Sequence, residues 1–324
     1  MDKIQKYRKD CRSLPMGYYH LCSDGWKEGL IFHTSSQYAA GVTSLALAAF
    51  RNQVKIYAYT LMPNHFHILL SGTGKACVQM FTCLTRRCNK VLRKTGDPPL
   101  PERYGFKLIP VTTPESLRSH FLYIARNPYE KGYAGPGGYL WGSDYLFDNQ
   151  LAAMIHGQKG KEISWRKQMR TLFVKERVPS QWEIHPELGV LPRSFVAHEK
   201  ILESFPSKKA YYTRLVKDYE SFAHISAEIQ ETLSYSNSEV DDILFLLVKQ
   251  LFPQKTWREL IAGEKLRVAV ILHRKFGIEV LQIAERMHLN EYTIRQAIDA
   301  KEYRHYEYQH CTTTNQHRNS NGFK

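Results

Sequence analysis

The sequence predicts an α+β fold: one antiparallel sheet with its helices packed on one face, followed by a mostly helical C-terminal region. Three observations lead there. Between residues 18 and 130 the patterns run strand, helix, strand, strand, helix, strand, helix. Two of these strands flank the short turn Met62-Pro63-Asn64, which makes them an antiparallel hairpin. Beyond residue 238 apolar residues recur at helical spacing.

Residues 1 to 14 are basic and polar and read as a disordered or backbone-contacting arm. Tyr18 to Ser23 has strand character, with Tyr19 and Leu21 on one side. After the Asp24-Gly25 turn, Gly29 to His33 reads as a second extended piece. Ser35 and Ser36 cap a helix that runs to about Asn52, with Tyr38, Val42, Leu45 and Ala49 as its apolar stripe. Gln53 to Thr60 sets Val54, Ile56 and Ala58 against Lys55, Tyr57 and Tyr59, the alternation of a strand. The hairpin turn then leads into Leu61 to Leu70. Side chains two apart share a strand face, so His65 and His67 lie on one side and Phe66, Ile68 and Leu70 on the other.

Lys75 to Lys94 reads as a helix with Val78, Phe81, Leu84 and Val91 on its apolar side. Arg86, Arg87, Lys90, Arg93 and Lys94 line the other side, as either a solvated charge run or a phosphate-contacting face. Gly96-Asp97-Pro98-Pro99 breaks that helix, and Phe106 to Pro110 is a short strand. Pro114 occupies the first turn of the next helix. This helix places Tyr123 and Asn127 one turn apart on one face, and Pro128 marks its end. The aromatic, glycine-rich stretch from Tyr129 to Phe147 suits either packing over a sheet edge or stacking on unpaired bases.

Residues 151–237 read as a linker and helical accessory region, interrupted by prolines at 179, 186 and 192. Residues 238–301 form a helical module with amphipathic helices over Val240 to Phe252 and Ile261 to Phe276. The run from Val280 to Ile298 then has helix-turn-helix spacing. Ala284 stands where two helices approach closely, and Asn290 caps the second helix. That arrangement exposes Tyr292, Arg295 and Gln296 to a DNA groove; a plain helical hairpin explains the same pattern. His288 replaces the glycine common in such turns. Residues 302–324 are polar and read as a disordered tail.

Lysine and arginine number 45 against 31 acidic residues, a net charge of +14, which favours a polyanionic partner. The six cysteines form no CxxC pair, so a thiolate zinc site is not expected. No apolar run opens the chain and no long apolar stretch occurs within it. The expectation is a cytoplasmic protein with free thiols and no membrane partner.

Two phrases, LMPNHFHILL (residues 61–70) and YIARNP (residues 123–128), together resemble the signatures of the HUH-type Y1 transposases, in the branch associated with repetitive extragenic palindromes. YYHLCS and GGYLWGSDY resemble that family's flanking elements, and the resemblance spans roughly residues 15 to 147. It implies a ferredoxin-like catalytic domain over residues 1–150 with the two histidines on a central strand. It further implies metal-dependent cleavage and rejoining of single-stranded hairpin DNA through a 5′-phosphotyrosine. Tyr123 would be the nucleophile, and His65, His67 and the Asn127 side-chain oxygen would hold Mg2+ or Mn2+. Asn127 stands where the best-known members of the wider family have glutamine. Arg86, Arg87 and Lys90 would contact the DNA backbone. Two rival readings stay open: a DNA-binding regulator with an idle nuclease centre, and a metal-dependent phosphodiesterase without a covalent intermediate. Monomer and homodimer are both compatible with the sequence.

Overall fold

A computed structural model describes residues 3–26, 29–147, 149–174 and 176–300. The predicted tail, residues 302–324, lies outside them. The chain is α+β, with a mixed sheet and helix region first and a largely helical region after it. It divides into two compact units, Met1–Asp218 and Tyr219–Lys324.

The first unit starts with a helix, α1 (Lys3–Arg12), where the sequence suggested an arm. Helix α1 is held against the start of a later helix. Gly74 lets it approach: a Cβ there would sit 1.9 Å from the Cys11 carbonyl oxygen. Tyr7 explains the rest, because its hydroxyl accepts a hydrogen bond from the Leu108 backbone N–H at 2.9 Å.

Strand β1 (Gly17–Ser23) follows, then α2 (Ser35–Arg51), β2 (Lys55–Leu61), β3 (Phe66–Gly72), α3 (Gly74–Thr95), β4 (Phe106–Val111) and α4 (Pro114–Glu130). Thr34, one residue before the expected caps, closes a capping box with Gln37 at the start of α2. Residues 29–33 form no strand; instead the Ile31 and Phe32 N–H groups donate to the Pro63 carbonyl. Helix α4 also runs past Pro128 to Glu130. Proline removes one donor but does not stop the chain when later N–H groups, such as that of Lys131, still reach back to Asn127.

The sheet order is β2-β3-β1-β4, with every pairing antiparallel. Thus β1 and β2 flank β3, and helix α2 makes the crossover between them. Register decides what each face carries. Leu21 is opposite Ile68 and Leu108, while His20 is opposite Leu69 and Ile109, and Cys22 is opposite His67.

The face bearing Phe66, Ile68 and Leu70 packs on α2 and α3. Phe81 of α3 lies 4.4 Å from Phe106 and 6.0 Å from Phe66, centroid to centroid. Helix α4 packs on the opposite face, against β2, β3 and β4. The expectation of helices on one face is therefore corrected: the sheet is covered on both. The physical reason is visible in α4, which is buried at every residue from Ser119 to Pro128. A helix buried all round lies between layers rather than at a surface.

The outer side of α4 is covered from within the same unit. After α5 (Asn149–Met154), a small sheet of β5 (Gln158–Lys159), β6 (Glu183–His185) and β7 (Gly189–Val190) forms around α6 (Trp165–Leu172). Trp182, Ile184 and Val190 pack against Ala46 and Leu47 of α2. Helices α7 (Glu199–Leu202) and α8 (Lys208–Lys217) lie on α4. Phe121 meets Phe205 and Tyr211 there, and buried Arg126 donates to the Val216 carbonyl at 2.8 Å, capping the end of α8.

The aromatic stretch before α5 packs rather than splays. Tyr139 donates to the Leu61 carbonyl at 2.8 Å, and Trp141 stacks on Tyr38 at 5.0 Å.

The second unit comprises α9 (Tyr219–Ile229), α10 (Asn237–Leu251), α11 (Ala262–Phe276), α12 (Val280–Met287) and α13 (Glu291–Asp299). Val268, Leu272, Ile283, Met287 and Ile294 are fully or almost fully buried and form its centre. His288 adopts φ +52°, the left-handed conformation that a glycine supplies in such turns. Asn290 caps α13 through its side-chain oxygen, which accepts from the Tyr292 and Thr293 N–H groups. Among the described residues no helix is long and apolar enough to cross a membrane.

Candidate active site

The hairpin turn closes with the Met62 N–H donating to the His65 carbonyl at 2.9 Å. It delivers His65 just before β3 and His67 within it. Their rings lie 5.0 Å apart and nearly perpendicular. His65 is half-buried, and His67 is fully buried.

Asn64 fixes the His65 ring. Its amide nitrogen reaches the Trp26 carbonyl at 3.4 Å, and its oxygen is 2.8 Å from His65 Nδ1. An amide oxygen only accepts, so Nδ1 carries the proton in this contact. In the neutral ring the lone pair is then on Nε2, the nitrogen turned away from the turn.

Helix α4 brings Tyr123 and Asn127 over the same sheet face. The Tyr123 ring lies 5.7 Å from the His67 ring. Asn127 Nδ2 is 3.3 Å from His67 Nε2. Asn127 Oδ1 is buried and has no hydrogen-bond partner. Leaving a buried acceptor unsatisfied costs about 1–3 kcal/mol, so such an atom calls for a partner. A hard divalent cation beside an imidazole lone pair is one partner that fits its chemistry. The donor set of His65, His67 and Asn127 therefore suits a divalent ion.

Two further residues enter this site that the sequence reading did not select. His20 on β1 has Nε2 at 3.1 Å from His67 Nδ1, and its Nδ1 at 3.0 Å from His120 Nδ1. Both are buried. The Tyr123 ring also lies 6.0 Å from that of His20. Cys22, opposite His67, brings its sulfur within 4.8 Å of a His67 ring nitrogen. His120 lies one turn before Tyr123, so helical spacing offered a signal for it. His20 alternates with Tyr19 and Leu21, so its face was readable, although its partner was not.

Tyr123 is only 2% exposed. A phosphodiester reaches its hydroxyl only if neighbouring groups move.

The basic face of α3 is elsewhere. Arg86 and Lys90 are exposed, but α3 packs on the sheet face opposite the histidines. Arg87 is engaged within the protein: its guanidinium meets Glu176 at 2.5 Å, and Arg51 meets the same carboxylate at 2.9 Å. In the second unit, Tyr292, Arg295 and Gln296 all point outward from α13. Arg295 pairs with Glu291 at 2.6 Å, and Gln296 donates to the Tyr292 hydroxyl at 2.9 Å.

No family model matches the chain, and no curated protein matches it. One solved structure, a REP-associated tyrosine transposase bound to a REP hairpin, is similar at 13% identity and a TM-score of 0.35. The likeness covers 43% of this chain and 84% of that one. At that score it adds no weight to a functional reading.

Proposed function

We propose that this protein nicks and rejoins single-stranded hairpin DNA through a 5′-phosphotyrosine at Tyr123, as an HUH-type tyrosine transposase does. The observation that carries the reading is convergence. Tyr123, His65, His67 and Asn127 come from two elements far apart in sequence and meet on one sheet face. The strand order β2-β3-β1-β4, with helix crossovers, supports a ferredoxin-like catalytic domain.

A divalent ion, Mg2+ or Mn2+, when bound supplies Lewis-acid polarisation of the scissile phosphate. His65 Nε2, His67 Nε2 and Asn127 Oδ1 hold it. Tyr123 Oη attacks phosphorus: the Oη–P bond forms, the P–O3′ bond breaks, and the strand leaves with a free 3′-hydroxyl. The phenol gives up its proton as the departing 3′-oxygen gains one. Rejoining reverses both bond changes, so no external energy source is needed.

The test is incubation of a labelled single-stranded hairpin with Mn2+ or Mg2+, followed by a denaturing gel and peptide mapping. A covalent adduct on the peptide containing Tyr123 is expected, absent in Tyr123→Phe and in EDTA. His65→Ala and His67→Ala should each abolish divalent-dependent cleavage. Cleavage that persists in Tyr123→Phe points to a phosphodiesterase without a covalent intermediate. Hairpin binding with no cleavage under any of these conditions points to a regulator with an idle centre.

A further inference from the structure

The residues beneath His67 form a row of imidazoles with a direction. From Asn127 the contacts run to His67 Nε2 at 3.3 Å, from His67 Nδ1 to His20 Nε2 at 3.1 Å, and from His20 Nδ1 to His120 Nδ1 at 3.0 Å. Each contact needs one proton between its two heavy atoms. With neutral rings, which hold one N–H each, only two arrangements satisfy the row.

In the first arrangement, Asn127 Nδ2 donates to His67 Nε2, His67 Nδ1–H donates to His20, and His20 Nδ1–H donates to His120. In the second, every proton is reversed: His120 donates to His20, His20 donates to His67, and His67 Nε2–H faces Asn127. The second places two donors against each other unless the Asn127 amide turns over. The observed amide, with Nδ2 toward His67, selects the first.

The choice matters because of what His67 presents to its surroundings. In the first arrangement the Nε2 lone pair points toward Asn127 and is available to a ligand once the amide donor yields. In the second, Nε2 is protonated and ligates nothing. The row is interior, with His20, His67 and His120 all buried, so bulk water does not offer the competing partners that average tautomers in solution.

We propose that His20, braced by His120, is a positioning residue that holds His67 in the Nδ1–H tautomer, with its lone pair on Nε2. His20 does this by accepting the His67 Nδ1–H bond, and His120 by accepting the proton that His20 would otherwise return. For metal binding the inference rests on the reading of His67 as a ligand. The tautomer itself does not depend on that reading.

Two variants separate the contacts. In His20→Gln the side-chain amide reaches the place of Nε2, so its oxygen still accepts from His67. In His20→Asn the amide reaches only the place of Nδ1, so the link to His120 remains and the acceptor for His67 is lost.

The experiment is nitrogen-resolved NMR of the His67 ring in the full-length, metal-free protein, paired with Mn2+ titration by calorimetry. The wild type and His20→Gln should show His67 protonated at Nδ1. His20→Asn should show mixed or Nε2–H signals, with Mn2+ affinity lower by about 10–100-fold, as for other partners that orient a ligating histidine. Nε2–H in the wild type overturns the proposal, and that measurement stands even if a variant fails to fold. An unchanged tautomer in a folded His20→Asn overturns it as well. If the tautomer follows His20 as expected but the wild type binds no Mn2+, the positioning role is supported and the metal reading of the site fails.

Discussion

Asp144 gives the sharpest stability test of how the aromatic segment is held near α4. It is 5% exposed, and its carboxylate accepts from the Gly137 N–H at 2.6 Å and from the Tyr211 hydroxyl. Burial pushes its pKa from 3.8 up to about 6, against the two hydrogen bonds, which pull it down. A rise of that size corresponds to roughly 3 kcal/mol of preference for the neutral carboxyl. The folded-state value lies above the unfolded one, so this stability is fully present below about pH 4. It is lost as pH rises through about 6.

Asp144→Asn removes the charge and little else. The amide oxygen keeps the Gly137 bond, and the Tyr211 hydroxyl rotates to accept from the amide nitrogen. At pH 7.5 the variant should exceed the wild type by about 1–3 kcal/mol, less any imperfect geometry. Near pH 4.5 the gap should close. Urea denaturation at both pH values measures it, and titrations common to both proteins cancel in the difference. A difference of the same sign and size at both pH values would refute the reasoning, as would a more stable wild type at pH 7.5.

Other expectations follow from placement. Arg87→Ala should cost about 1.5–3 kcal/mol in denaturant, because it breaks the contact with Glu176, and should leave DNA affinity nearly unchanged. Arg86→Ala and Lys90→Ala should leave stability unchanged, and a salt titration should show a shallower slope for hairpin binding only if this face meets phosphates. Alanine at Tyr292, Arg295 and Gln296 together should preserve the circular dichroism spectrum; weaker binding to DNA assigns this face to DNA, and unchanged binding makes α12 and α13 a packing hairpin. His288→Gly should raise stability by up to about 1 kcal/mol, because relief of left-handed strain exceeds glycine's extra unfolded-state entropy; a lower midpoint in thermal unfolding would contradict it.

Much of the element order was legible because strand and helix periods are local. The hairpin, α2, α3 and the helices of the second unit follow their apolar spacing and their caps. The burial of the second sheet face was harder to read. Leu69 shares a face with His67, and Ala58 and Ile109 lie on it too, so β2, β3 and β4 carry apolar residues on both sides. A strand covered on both faces shows no hydrophobic alternation that would point to one exposed side. The run SHFLYIARNP in α4 is the matching signal, buried without a solvent stripe. Residues 158–217 were opaque for another reason: their strands are two or three residues long and form only against α2. Gly189 shows how closely they dock, since a Cβ there would lie 2.5 Å from the Ala39 carbonyl oxygen.

The site was legible in proportion to how local its geometry is. His65 and His67 are two apart on a strand, and Tyr123 and Asn127 are four apart on a helix; both spacings announce a shared face. His20 and His67 are neither. They meet because β1 pairs with β3 in one register, and a shift of one residue would turn His20 to the opposite face of the sheet. That register is fixed by Leu21 facing Ile68 and Tyr19 facing Leu70 beneath α2 and α3, on the opposite face from the histidines. The same packing that stabilises the sheet therefore decides which imidazole stands behind His67. A cavity-forming change such as Leu21→Ala would strain that register from a side of the sheet that carries none of the proposed ligands.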